Sequence, residues 1–326
     1  MFDTEQKILF AFPGQGSQYK GMGSDLYQEF EVAKRVYQKA SEVLGYDIAE
    51  LSFNDPQDKL NLTQYTQPAL LTHSIASLEV FKHLTADRVQ PVMTAGHSLG
   101  EYSALVAAGS LGFENALKLV QRRGELMGEH GQGEMTAFPM DLDTIRPIAE
   151  RYHCAIAGCN LPQQTVIAGR AEDLELVESQ VLEQFPRKRP VRLKTEGAFH
   201  TYYMVKAAQY YRDVLETAEF SRSDVQVLSN FTGGFHAPDP ADIRARLFFQ
   251  LFHPVMWHEN LKTAFASGVD VIFEFGGGIG KGTEPEDKRP NLEGMIKKAL
   301  RTTDYEVQYH AAINQQSLQE AVDSVL

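Results

Sequence analysis

Cysteine is scarce in this sequence, which contains only Cys154 and Cys159 among its 326 residues. Two thiols five positions apart, without clustered histidines, make neither a disulfide framework nor a zinc site, so we expect no metal. No apolar run approaches the roughly 20 residues that a membrane-spanning helix requires. The opening MFDTEQKILF lacks the basic and long apolar parts of a secretion signal. These absences predict a protein of the reducing cytoplasm with no membrane partner.

Positive charge is also in short supply. The chain has 31 lysines and arginines against 43 aspartates and glutamates, a formal net charge of −12. A protein this acidic repels the nucleic-acid backbone, so we expect no nucleic-acid partner. Hydrophobic content of 43% and charged content of 23% are typical of globular proteins and exclude disordered and fibrous classes. The length predicts two domains, or one large domain with an insertion.

Strand-like and helix-like segments alternate along most of the chain. KILFAF (7–12) and PVMTA (91–95) are short apolar runs, each followed by a glycine-containing segment. Such alternation predicts an α/β fold whose mostly parallel, hydrolase-like sheet is covered by helices on both faces. Apolar residues at helical spacing also predict one continuous helix from Ser24 through Gly45.

The pattern changes between residues 131 and 197. Segments there follow the order β-α-β-β-α-β over about 65 residues, which is the ferredoxin-like α+β arrangement. We therefore predict a small ferredoxin-like subdomain, 131–197, inserted into a large α/β catalytic subdomain made of residues 1–130 and 198–326.

The segment AGHSLGEY (95–102) carries the clearest chemical motif. Ser98 stands between Gly96 and Gly100, after a short strand and before an alanine-rich helix. A G-x-S-x-G turn in that context exposes a serine hydroxyl at a helix N-terminus, where the backbone N–H of Leu99 can face a developing oxyanion. The alternative is a glycine-flanked serine that only caps a helix.

A nucleophilic serine needs a base, and ten histidines compete for that role. His97 adjoins the serine on the other side of the turn, which favours a structural or supporting role. His200, in EGAFHTYYM, follows the last strand of the inserted segment, where the chain returns to the large subdomain. The residue pattern alone makes His200 a candidate and no more.

Seven stretches, in order across almost the whole chain, resemble the malonyl-CoA:acyl carrier protein transacylases and the acyltransferase domains of fatty-acid and polyketide synthases. They are FPGQGSQ (12–18), GHSLGEY (96–102), RRGELM (122–127), CNLPQQTVIAG (159–169), GAFH (197–200), HPVMW (253–257) and EFGGG (274–278).

The resemblance implies a catalytic set. Ser98 would be the nucleophile and His200 the general base. The backbone N–H groups of Gln15 and Leu99 would form the oxyanion hole. A backbone carbonyl, mapped to Met256, would orient the histidine in place of an aspartate. A dinucleotide loop at GQGSQ is disfavoured because the third glycine of that motif is missing. We expect no cofactor, since the CoA thioester is itself a substrate.

The resemblance also implies how the acyl group is chosen. Arg123 would take the malonyl carboxylate through paired hydrogen bonds, although residue types alone do not separate it from Arg122. Phe199 would crowd the α-carbon of the acyl group. Asn160 would contact substrate, and its alternative role is that of a polar residue at a loop end.

The implied reaction moves a malonyl group from malonyl-CoA to the phosphopantetheine thiol of an acyl carrier protein through a malonyl-serine intermediate. The alternative is an acyl hydrolase that clears carrier proteins. Gly197 stands where synthase domains often carry histidine, which favours a free-standing acyltransferase that serves polyketide synthases in trans. RKR (187–189) and KKALR (297–301) are candidate docking sites for an acidic carrier, with solvated charge as the alternative.

Overall fold

The computed structural model describes residues 6–326. In that part of the chain nine strands form, which we number in chain order. They are β1 (Ile8–Phe12), β2 (Met93–Gly96), β3 (Glu134–Phe138), β4 (Ala155–Leu161), β5 (Gln164–Gly169), β6 (Val191–Leu193), β7 (Gln226–Val227), β8 (Val271–Phe275) and β9 (Gln308–Ala312).

Thirteen α-helices accompany the strands within the same residues. They are α1 (Ser24–Glu29), α2 (Glu31–Leu44), α3 (Ile48–Phe53), α4 (Thr63–Leu84), α5 (Gly100–Ala107), α6 (Phe113–His130), α7 (Leu142–Arg151), α8 (Ala171–Gln184), α9 (Val205–Thr217), α10 (Pro240–Gln250), α11 (Trp257–Ala266), α12 (Glu293–Leu300) and α13 (Gln315–Asp323). None of these helices is both long enough and apolar enough to cross a bilayer.

A five-stranded parallel sheet, in the order β7-β2-β1-β8-β9, forms the centre of the protein. The central strand β1 is buried along its whole length, as its continuous apolar run predicts for a sheet covered on both faces. Phe12 pairs with Gly96 at the carboxyl ends of β1 and β2. The loops that follow these two strands therefore start side by side, at the edge where α/β proteins bind ligands.

The second sheet is antiparallel and has the order β4-β5-β3-β6. With α7 and α8 on one face, it has the strand order and connections of a ferredoxin-like fold, so the predicted fold class is confirmed for both sheets. Ile145, Ile167 and Val177 are buried in the core beneath these helices. The exact division of the chain at 130/131 and 197/198 stays a prediction.

Two glycines lie where the chain passes between the two sheets. A Cβ on Gly197 would lie 2.6 Å from the Cα of Gly131, and a Cβ on Gly131 would lie 2.8 Å from the carbonyl oxygen of Glu196. The outgoing and returning segments are thus in backbone contact. This close approach brings the end of α6 next to the residues that precede His200.

The predicted continuous helix from Ser24 through Gly45 is wrong at one residue. Phe30 is extended, with φ −116° and ψ 122°, and separates α1 from α2. Its N–H closes the last turn of α1 on the carbonyl of Leu26. The side chain still packs against the main core, so the apolar spacing continues across the break and does not reveal it.

Candidate active site

Ser98 occupies a sharp turn between β2 and α5. Its φ of 53° lies in the left-handed region, which costs a non-glycine residue on the order of 1 kcal/mol. A Cβ on Gly96 would lie 1.8 Å from the carbonyl carbon of Gly100, and a Cβ on Gly100 would lie 2.2 Å from the carbonyl oxygen of Phe12. Both flanking glycines are therefore required by backbone packing, and the turn presents the serine hydroxyl.

The side chain of His200 contacts this hydroxyl from a segment that is distant in the sequence. Its Nε2 lies 2.7 Å from Oγ of Ser98, and its Nδ1 lies 2.8 Å from the carbonyl oxygen of Gln250. Because a carbonyl only accepts, the Nδ1 atom carries the proton and Nε2 faces the serine with a free lone pair. The pair has the geometry of a serine and its general base.

The carbonyl that orients His200 belongs to Gln250, so the prediction of Met256 is wrong. Gln250 is the last residue of α10, where helix carbonyls have no partner within the helix and remain free to accept. Met256 instead precedes α11, and its carbonyl accepts the N–H of Asn260 at 3.0 Å in the first turn of that helix.

Burial holds His200 in its neutral form. Removal from water, and secondarily the nearby Arg123 guanidinium, lower the pKa of His200 to about 3, against the opposing effect of its hydrogen bond to the Gln250 carbonyl. A neutral imidazole is the form that can take a proton from serine. The base is thus in its active form across the neutral pH range.

Arg123 lies beside the nucleophile and is 1% exposed. Its Nη1 donates to Oε1 of Gln67 at 2.9 Å, while Nη2 donates to Oγ of Ser98 at 3.1 Å and to Oε1 of Gln250 at 3.0 Å. Among the described residues no carboxylate lies within 4.0 Å of this guanidinium, and its Nε has no acceptor. The site therefore holds a buried cation without a counter-ion.

Arg122, the other arginine of the motif, has a different environment. Its side chain is 44% exposed and pairs with Glu125 on the same helix at 2.9 Å. An exposed pair of this kind is a solvated surface feature worth little stability. The structure thus separates the two arginines that residue types alone left equivalent.

A cavity of about 940 Å³ opens over Ser98 between the two sheets. Arg123, Phe199 and His200 line it, and Phe199 is buried in its wall. Two strands of the small sheet contribute alternate residues, Met135 and Ala137 from β3 and Gln164 and Val166 from β5. The cavity is large enough for an acyl thioester and its pantetheine arm.

The two predicted oxyanion donors also line this cavity. Leu99 precedes α5, and Gln15 lies in the loop after β1, where its side chain donates to Oγ1 of Thr63 at 3.1 Å. Over residues 6–326, neither backbone N–H donates to a protein acceptor. A Cβ on Gly14 would lie 2.4 Å from the carbonyl oxygen of His97, so the loop is packed tightly against the elbow.

Asn160 lies in the cavity wall and contacts His97 rather than the reacting pair. Its Oδ1 lies 2.9 Å from Nε2 of His97. Burial lowers the pKa of His97, so the neutral ring donates this hydrogen bond. The supporting role expected for His97 fits this contact, and Asn160 joins the small sheet to the nucleophile turn.

Four residues of the site were not identified from the sequence. Asn230 accepts the N–H of Ser98 at 2.5 Å and donates to the carbonyl of Gly96 at 2.7 Å, which fixes the turn. Gln67 and Gln250 hold Arg123, and Glu101 holds Gln250. Only Glu101 carried a signal, because it is an acidic residue within the serine motif.

This combination of an elbow serine, a histidine oriented by a carbonyl and a buried arginine, set on a parallel sheet with a ferredoxin-like insertion, defines an α/β serine acyltransferase. The profile of the family "Acyl transferase domain" matches residues 9–275. The chain belongs to this family, and within it to the malonyl CoA-acyl carrier protein transacylases.

Curated relatives are similar over most of their length. The malonyl CoA-acyl carrier protein transacylase of Bacillus subtilis is 39% identical over 90% of this chain and 91% of its own. The polyketide biosynthesis malonyl CoA-acyl carrier protein transacylase BaeC of Bacillus velezensis is 37% identical over 83% of this chain and 93% of its own.

Solved structures are similar over the whole fold. The malonyl CoA-acyl carrier protein transacylase of Clostridium perfringens has a TM-score of 0.86 at 31% identity and covers 98% of this chain and 97% of its own. A malonyl-transacylase in complex with its type II PKS acyl-carrier protein has a TM-score of 0.87 at 32% identity, over 98% and 100% of the two chains.

Proposed function

We propose that this protein transfers a malonyl group from malonyl-CoA to the phosphopantetheine thiol of an acyl carrier protein. The observation that carries the proposal is Arg123, a buried guanidinium without a counter-ion that donates directly to Oγ of Ser98. A malonyl group attached at Ser98 brings a carboxylate one methylene beyond the ester carbonyl. That carboxylate supplies the missing negative charge beside the nucleophile.

In the first half-reaction His200 takes the proton of Ser98, whose oxygen attacks the thioester carbonyl of malonyl-CoA. The backbone N–H groups of Gln15 and Leu99 stabilise the oxyanion of the tetrahedral intermediate. As that intermediate collapses, the C–S bond breaks and the CoA thiolate takes the proton from His200. The products are malonyl-Ser98 and free coenzyme A.

The second half-reaction runs the same steps with a different thiol. His200 accepts the proton of the carrier's phosphopantetheine thiol, whose sulfur attacks the malonyl ester. Collapse of the second intermediate breaks the C–O bond, and His200 returns the proton to Ser98. Transfer is faster than hydrolysis only if the thiol, rather than water, reaches the ester.

Arg123 also accounts for selection against neutral acyl groups. An acetyl group would leave the guanidinium buried and unpaired, which penalises its binding relative to malonyl. Phe199 in the cavity wall restricts the space beside the acyl chain, which favours the unbranched malonyl group over a methyl-branched one. Asn160 we assign to shaping the wall of the cavity.

The finer biological assignment is also a proposal. We infer that the enzyme serves polyketide synthases in trans, which is supported by Gly197 in the GAFH motif and by similarity to a relative named for polyketide biosynthesis. We place it in the cytoplasm, where its two unpaired cysteines stay reduced. Loading assays with carriers of both fatty-acid and polyketide type, and cell fractionation, test these two points.

The central test incubates the protein with labelled malonyl-CoA or acetyl-CoA, with and without a phosphopantetheinylated carrier. We expect malonyl to appear on the carrier at least about 100-fold faster than acetyl, because only malonyl pairs the buried arginine. Equal loading of acetyl, or release of free malonate in place of carrier loading, would contradict the proposal.

Two neighbouring arginines provide a matched control. Arg123→Ala should lower kcat/KM for malonyl-CoA by about 100-fold or more, since the carboxylate loses its partner. Arg122→Ala removes an equal charge from an exposed position and should change the rate by less than about twofold. Equal effects of the two substitutions would show that the carboxylate is bound elsewhere.

A further inference from the structure

Glu101 and His236 form a buried polar pair behind the catalytic groups, and the reaction steps above use neither. We propose that Glu101, supported by His236, is a positioning residue that sets the preference for a carboxylated acyl group by fixing the side-chain amide of Gln250 against Arg123. The proposal rests on the proposed malonyl transfer and names a further determinant of its selectivity.

Glu101 is fully buried in the first turn of α5, three residues after the nucleophile. Its Oε2 accepts the side-chain amide of Gln250 at 2.8 Å and the backbone N–H of Asn230 at 2.9 Å. Its Oε1 lies 2.7 Å from Nε2 of His236, which is 9% exposed. Both carboxylate oxygens are thus engaged by elements distant in sequence.

The amide of Gln250 is the link to the substrate site. Its Nε2 donates to Glu101 and, at 3.0 Å, to the carbonyl of Ser98, while its Oε1 accepts from Nη2 of Arg123. A carboxylate can only accept a hydrogen bond here, so it requires the NH₂ group of Gln250 on its own side. This leaves the oxygen of Gln250 facing the guanidinium.

Reversal of that amide would disturb Arg123 directly. The NH₂ group would then face another N–H donor, and the oxygen would face the Glu101 carboxylate and the Ser98 carbonyl, so all three contacts would become repulsive. Gln67 holds the other terminal nitrogen of Arg123. Loss of the Gln250 acceptor would release one side of the guanidinium that receives the malonyl carboxylate.

The backbone of Gln250 performs a separate task, because its carbonyl orients His200. A substitution at Glu101 that frees the side-chain amide therefore acts first on Arg123 and on carboxylate binding. A purely structural role of Glu101 would instead lower malonyl and acetyl transfer by one common factor. The ratio of the two kcat/KM values separates these cases.

The experiment compares Glu101→Leu, which removes the acceptor, with Glu101→Gln, which keeps an acceptor oxygen of the same reach. For the leucine variant we expect the malonyl-to-acetyl ratio of kcat/KM to fall about tenfold or more, chiefly through a higher KM for malonyl-CoA. The glutamine variant should keep the ratio within about threefold of the parent. The rates of both variants are normalised to the fraction of enzyme that becomes acylated at Ser98, which is measured by intact mass.

His236, the other member of the buried pair, provides a second pair of variants. His236→Leu removes the donor to Glu101 and should lower the ratio in the same direction. His236→Gln places an amide nitrogen where Nε2 stood and should restore it, because only the donor is needed. Unchanged ratios in both Glu101→Leu and His236→Leu would overturn the proposal.

A double-mutant cycle tests the route through Gln250. Gln250→Met removes the side-chain amide and keeps the backbone carbonyl for His200. In that background Glu101→Leu should change the malonyl-to-acetyl ratio by less than about twofold, since the link is already absent. A further tenfold fall in that ratio would show that Glu101 acts by another path.

Equal malonyl and acetyl loading by the unsubstituted enzyme would instead refute the proposed function itself.

Discussion

The parallel and the antiparallel sheet contribute to the site in different ways. The reacting groups lie in backbone turns outside the antiparallel sheet: Ser98 follows β2 of the parallel sheet, His200 lies where the chain leaves β6 for α9, and both have positive φ. The antiparallel sheet contributes side chains from one face, as Met135 and Ala137 of β3 illustrate, while the opposite face packs on α7 and α8.

This difference predicts where substitutions should lower activity or stability most. A strained turn between packed strands tolerates no added atom, since backbone meets backbone there. A wall made of alternate side chains can change one residue at a time. We therefore expect chemistry and folding to depend on the parallel sheet, and the small sheet to adjust substrate fit.

The largest effect should come from Ser98→Ala. Without the hydroxyl no acyl-enzyme can form, so incubation with malonyl-CoA should give no mass increase and carrier loading should fall at least about 10⁴-fold. Ser103→Ala, at a buried serine of the following helix α5 outside the cavity, should still acylate fully. Retained loading in the Ser98 variant would place the nucleophile elsewhere.

Gly96→Ala should be the next most damaging change, because its Cβ would lie 1.8 Å from a backbone carbon. We expect a loss of about 3 kcal/mol or more in the free energy of unfolding, measured by urea denaturation. Gly128→Ala is the matched control within α6, where no atom beyond the adjacent backbone of the helix itself lies within 4 Å of the new Cβ. That change should be neutral or stabilising by up to about 1 kcal/mol. Equal stability of the two variants would refute the tight elbow.

The pH profile tests whether burial keeps His200 neutral. Protonation of the base inactivates it, and burial, aided by Arg123, lowers the pKa of His200 to about 3. We expect kcat/KM to stay within about threefold from pH 7 to 5, because the imidazole remains neutral above its pKa. An enzyme whose histidine base had an ordinary pKa near 6.5 would lose activity about 25-fold over that range.

In the same experiment, Arg123→Ala should move the acid limb of the profile to higher pH. Removal of a neighbouring positive charge makes protonation of His200 easier, while burial still holds the pKa of His200 below its ordinary value. If kcat/KM of the unsubstituted enzyme instead fell between pH 7 and pH 6, His200 would be shown to be solvated during turnover.

Asn160→Ala should have the smallest effect and sharpen the contrast between the sheets. The change removes the acceptor of His97 from the antiparallel wall without touching Ser98 or His200. We expect kcat/KM for malonyl-CoA to fall only about three- to tenfold, since one hydrogen bond of a supporting residue is lost. Steady-state kinetics would check this, and a loss comparable to that of Arg123→Ala would give Asn160 a direct role in binding.

Patterns of short range predicted the fold well. The alternation of strands and helices, and the β-α-β-β-α-β order within 131–197, anticipated both sheets. The helix break at Phe30 was not predicted, because the apolar side chain keeps its helical spacing while the backbone is extended. Periodicity records which side chains are buried and is insensitive to one extended residue between two helices.

Candidate site residues divide in the same way. Ser98 was visible because its flanking glycines are a local steric requirement. The error at Met256 arose because a resemblance mapped a backbone role onto a nearby residue, whereas a free carbonyl depends on where α10 ends. Gln67, Asn230 and Gln250 carry no local motif, since an amide becomes informative only through the groups that it contacts.

By itself the sequence determined the elbow serine, the succession of strands and helices along the chain, and the residue types available for acyl transfer. These are consequences of local sterics and of apolar periodicity over a few turns. Tertiary structure alone decided that Arg123 rather than Arg122 is buried at Ser98, and that the carbonyl of Gln250 orients His200. Those outcomes depend on desolvation and on contacts between residues more than 20 positions apart, which no short pattern records.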